Sequence, residues 1–162
     1  MSAPNTPVND IAAITQRFKR ISERENLKQQ ERNLAGITNK YNASFASVQA
    51  ILQNALFGNT DMHRVKAWHN IPDKSPTADY MGAISLNAKN NAIYNATYNI
   101  DTRSTNYDTF IKLLQKSAYE QRTRMHIKYG ITPENDLCAK SVSNVQTEFN
   151  QMRKNFIRQY AS

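Results

Sequence analysis

Three histidines, a single cysteine and thirteen acidic residues are the groups in this 162-residue chain that could make or break bonds. His63 and His69 lack the i, i+4 spacing that places two metal ligands on one helix face, so no zinc site is read there. Cys138 falls on an apolar pattern, which suits a buried, inert thiol better than a nucleophile. The carboxylates stand mostly beside basic residues, and no acid–base pair can be picked out. No phosphate loop, dinucleotide fingerprint or serine-nucleophile motif occurs, and the four glycines are too few and too scattered to cradle a phosphate. The expectation is therefore a protein that is not an enzyme and needs neither metal nor cofactor.

The chemistry that the residues do favour is contact with a polyanion. Arg17, Arg20, Arg24, Lys28 and Arg32 form a stripe near the N-terminus, Arg122, Arg124 and Lys128 form a second group, and Arg153, Lys154 and Arg158 a third. Trp68, Tyr119 and Tyr160 lie among such cations, and long cations beside tyrosines and amides are what phosphate backbones take. Glu23, Glu25 and Glu31 lie close enough in sequence to neutralise part of the first stripe.

Helices must position these groups. Residues 9–36 form the longest helical pattern, with Asn9 or Asp10 at its start and Gly36 at its expected end. Its apolar seam of Ile11, Ile14, Phe18 and Ile21 lies beside the basic stripe, which spans about 120° of an ideal helix. That arrangement predicts a seam docked on protein and a stripe facing an anion, so replacing Arg20 and Arg24 by Gln is expected to leave folding intact.

A second helix is expected from Thr38 or Asn39 to Gly58, and a short one opened by Thr60 and Asp61. The proline-bearing loop at 70–77 is the clearest break and a possible subdivision of the chain. Within 78–100, Met81, Ile84, Ala88, Ala92 and Ala96 fit a helix face, whereas 93–100 also alternates in the manner of a strand; no second strand pattern exists to pair with it, so helix is preferred. The stretch from Thr105 or Asn106 to Tyr129, stopped by Gly130, reads as a strong helix. Thr132, Pro133 and Glu134 then open a last helix with the seam Cys138, Val142, Val145, Phe149, Met152 and Phe156. The fold class is all-α: five or six helices in a single domain over 9–162, preceded by a flexible arm at 1–8.

Composition bounds the partners. A formal charge of +8 favours nucleic acid or an anionic surface, and the surplus is spread over all three parts of the chain. The N-terminal region has no signal-peptide pattern, and no apolar stretch is long enough to span a membrane. A reducing interior is the expected setting, with a virion or the cytoplasm as the location.

Tyr129, Gly130, Ile131 and Thr132 form a short string similar to one in coat proteins of rod-shaped archaeal viruses. In outline the chain resembles the small all-helical coat proteins of rod-shaped and filamentous viruses. The resemblance implies a short arm and long basic helices that wrap nucleic acid, with subunits packed into a helical tube. It covers four residues and the architecture, and transfers no site residue. The expected function is sequence-independent nucleic-acid packaging with self-association or pairing with a paralogous subunit. The alternatives are an adaptor whose helical seams bury against other proteins and, more weakly, a peripheral membrane protein, for which the first helix lacks a wide apolar face.

Overall fold

In the computed structural model, which describes residues 7–161 with side chains from Ile11 to Tyr160, the chain forms six helices and no strand among those residues. Helix α1 (Pro7–Lys40) already includes Pro7 and Val8, so the arm expected at 1–8 lies otherwise outside the described residues. Gly36 does not end it. The helix runs through that glycine for a further turn, because Ile37 and Thr38 beyond it are buried in the core. Packing of two side chains outweighs the roughly 1 kcal/mol that an interior glycine costs.

Helix α2 (Phe45–Leu56) therefore starts later than Thr38, with the Ser44 hydroxyl accepting from the Ser47 N–H. Helix α3 (Met62–Trp68) is capped by Asp61, and α4 (Ala83–Thr97) confirms the helical reading of the ambiguous segment. Helix α5 (Tyr107–Tyr129) is capped by Asn106 and closed by Gly130 in the left-handed conformation. Asparagines take much of the helix-stopping role expected of glycine: Asn42, Asn59, Asn70 and Asn99 all have positive φ and follow α1, α2, α3 and α4. Thr132 and Pro133 open only a single 3-10 turn, and α6 (Val142–Ala161) begins nine residues after that proline, leaving Cys138 outside the helix.

Helix α4 is the centre of the molecule. It packs against α1 on one side and α5 on the other, while α2 lies against α5 and α1. Leu27, Leu34, Leu52, Phe57, Leu86, Ile93, Phe110 and Leu114 meet in one cluster that draws on both sides of the 70–77 loop. Because α4 is enclosed on several sides, its buried set includes the polar Ser85, Lys89, Asn90 and Thr97. Each needs a partner. Thr97 donates to the Ile93 carbonyl at 2.7 Å, and Ser85 donates to Asp136 at 2.7 Å.

Lys89 has only the Gln53 side-chain oxygen, at 3.2 Å. Burial lowers its pKa to about 8, against the Glu31 carboxylate, which pulls it up. The unfolded chain holds that proton up to the ordinary lysine value, so between about pH 8 and 10.5 it binds more protons than the folded chain. The burial penalty is thus complete below about pH 8 and fades as pH rises through that window. Lys89→Met is expected to stabilise the fold at pH 7 by up to about 3 kcal/mol, with the advantage shrinking toward pH 10. Urea denaturation of both proteins across this range checks it, and a variant less stable at pH 7 would contradict the assignment.

Candidate nucleic-acid interface

The eleven cations singled out in the sequence fall into three settings. Arg20 is buried, with 7% of its surface exposed. Its Nε donates to the Met81 carbonyl at 3.2 Å, and its Nη2 donates to the carbonyls of Asp79 and Lys140 at 3.1 and 2.9 Å. Arg24 pairs with Asp79 and Glu31, both at 3.2 Å. Arg122 makes a two-pronged pair with Glu134, both bonds 2.6 Å, and donates to the Leu56 carbonyl at 3.2 Å. Burial works to raise the Glu134 carboxyl, but the Arg122 bonds outweigh it and hold the group below its usual range. These three arginines tie the fold together and present no free guanidinium to a phosphate.

Arg17 and Lys28 are exposed but paired, Arg17 with Glu148 at 3.9 Å and Lys28 with Glu25 at 3.2 Å. The remaining six, Arg32, Arg124, Lys128, Arg153, Lys154 and Arg158, are exposed with no carboxylate within ion-pair distance among the described residues. Lys128 lies over the Tyr129 ring at 5.2 Å.

The orientation of α1 departs from the expected one: part of the stripe turns inward, while Arg17, Lys28 and Arg32 stay exposed. Arg20 and Arg24 face the core, whereas Ile11 and Phe18 are 62% and 64% exposed. The N-terminal third of the helix runs off the body with its apolar seam uncovered. Helix α6 does the same at its other end: Val142 and Val145 are buried, Phe149 is half-buried, and every residue from Gln151 to Tyr160 is exposed. The seam expected from the sequence is real for the first half of α6 and unpartnered beyond it.

Helix α5 adds two cations that the sequence patterns do not single out, Lys112 and Lys116. Lys112, Lys116, Tyr119 and Arg124 border a shallow concavity of about 540 Å³ along its outer face. Arg124 also borders a second groove between α4 and α5, about 170 Å³, with Asn87, Asn91, Gln121, Lys128 and Tyr129. The four-residue steps from Lys112 to Lys116 and from Arg124 to Lys128 are the available signal. Together they make a band of cations, amides and tyrosines about four and a half turns long.

His63 pairs with Asp73, and the His69 ring meets the Glu134 carbonyl at 3.0 Å. Burial pushes the Cys138 thiol above its ordinary pKa, away from the reactive thiolate. No helix among the described residues is long and apolar enough to cross a membrane. No protein-family profile, characterised protein or solved structure matches the chain.

Proposed function

We propose that this protein is a non-enzymatic structural subunit that packages nucleic acid through its phosphate backbone and assembles with copies of itself or a paralogous subunit, as coat proteins of helical viruses do. The observation that carries the reading is the division of the cations. The arginines that the fold needs are engaged internally by carboxylates or backbone carbonyls, while Arg124, Lys128, Lys154 and Arg158 are exposed and unpaired among the described residues. A surface charged only for solubility would gain from interspersed acids, yet residues 149–161 contain three cations and no carboxylate. The cations are spread along helices without a compact reading head, which suits backbone binding that ignores sequence.

The uncovered seams at the ends of α1 and α6 support the assembly half of the reading, since isolated subunits rarely leave such stripes in water. The test is a salt titration of the purified, nuclease-treated protein against unrelated duplexes and single strands. Similar affinities for unrelated sequences and a steep linear fall with salt are expected. Absence of binding at low salt would overturn the packaging half and favour an adaptor built on the same seams.

A further inference from the structure

The uncovered end of α6 has a counterpart on the same chain. Its seam continues past the body through Met152, Phe156 and Tyr160, and the last two rings are already packed together at 4.6 Å. On the outer face of α4, Tyr94 and Tyr98 form a second exposed stacked pair, 5.2 Å apart, with the same four-residue spacing. Beside them a groove of about 310 Å³ runs between α1 and α4, bordered by Glu23, Gln30, Asn90 and Tyr94. Its chemistry is that of an acceptor. Glu23 takes hydrogen bonds from Asn90 and Asn87 but has no cation within ion-pair distance among the described residues. The side-chain oxygens of Gln30 and Asn90 are buried without a donor.

Helix α6 supplies what the groove lacks. Arg153 has no carboxylate partner among the described residues, and on an ideal helix it falls about 60° from Phe156. Lys154 and Arg158 fall roughly 160° from Phe156, on the opposite face. The free stretch of α6, residues 151–160, is about 15 Å long at 1.5 Å per residue, roughly two thirds of the length of α4. It does not fold back on its own groove, because all of residues 151–160 are exposed.

We propose that the free end of α6 docks on the α1–α4 groove of a second copy of this chain, with Phe156 and Tyr160 against Tyr94 and Tyr98 and Arg153 reaching Glu23. The inference rests on the self-assembly half of the proposed function and specifies its contact. Repeated head to tail, as the helical assembly of the proposed function requires, the contact builds an open filament or a ring. Lys154 and Arg158 stay outward in the docked state, free to face a phosphate.

The test uses two variants of the full chain after nuclease treatment: Tyr94→Ala with Tyr98→Ala in the groove, and Phe156→Ala with Tyr160→Ala on the arm. All four rings are exposed, so circular dichroism should match the wild type. In sedimentation velocity the wild type is expected to grow beyond a dimer with concentration. Each variant alone is expected to associate at least about 30-fold more weakly. An equal mixture of the two is expected to form species no larger than a dimer, since only one intact groove and one intact arm remain to meet. A groove variant that assembles like the wild type would overturn the proposal, as would a wild type monomeric at all concentrations or a mixture of folded variants that fails to pair. Nucleic-acid binding measured on the same samples separates the two ideas: its absence with this assembly pattern intact strikes the packaging reading alone.

Discussion

Arg20→Met is expected to destabilise the fold by about 3–5 kcal/mol, since it leaves three buried or partly buried carbonyls without their donor at roughly 1–2 kcal/mol each. The arginine's three hydrogen bonds reach carbonyls in two separate connections, Asp79 and Met81 before α4 and Lys140 before α6. Methionine fills similar volume but leaves all three carbonyls without that donor, each in a setting only partly open to water. Lysine is not expected to rescue it, because one ammonium cannot reproduce the planar fork that spans both connections. Urea denaturation monitored by circular dichroism gives the comparison, and a loss below about 1 kcal/mol would mean that water replaces the guanidinium without strain. This reverses the sequence-based expectation that Arg20 and Arg24 could become glutamine with folding intact.

The reason for that reversal is specific. Helical periodicity identifies a seam and a stripe side by side on α1, but it carries no information on which of them faces the body. The partners of Arg20 are backbone carbonyls 59 to 120 residues away, and a carbonyl has no sequence signature. Arg122 similarly reads as a surface cation near a helix end, although its position is decided by Glu134 on the following turn and by Gly58. That glycine has φ of +67°, and a Cβ there would sit 2.6 Å from the guanidinium carbon.

Local signals fare better where the physics is local. Asn106, Asp61 and Gly130 cap their helices as their types require. The helix at Ala83–Thr97 follows from the absence of a partner strand, yet its central place is hidden because burial on several sides erases periodicity. Gly36 misleads for the complementary reason. Its own preference is weak, and the buried Ile37 and Thr38 decide that the helix continues.

The candidate site follows the same division: exposed, unpaired cations at the ends of α5 and α6 are legible as a charge excess, and the internal arginines are not separable from them by sequence. That separation directs the decisive binding experiment. Replacing Arg124, Lys128, Lys154 and Arg158 together by glutamine is expected to weaken binding to duplex DNA on the order of a thousandfold near 0.1 M salt, and to make the salt slope shallower by up to about 3.6 log units, at about 0.9 for each phosphate no longer neutralised. The weakening should be alike for unrelated sequences, since backbone contacts carry no base information. All four side chains are exposed and none is ion-paired among the described residues, so the melting transition should not move. Arg153 is left in place deliberately, which keeps the proposed α6 docking contact intact and makes the measurement one of phosphate binding alone. Replacing the paired Arg17 and Lys28 instead should change the slope far less, because their charges are already met by Glu148 and Glu25. If the fourfold variant keeps the wild-type slope, the interface cannot be the C-terminal ends of α5 and α6 assigned to it. The band at Lys112, Lys116 and Tyr119 is then one remaining place on the described surface where cations and an exposed ring stand together along one helix, and Arg64 with Trp68 on α3 is another.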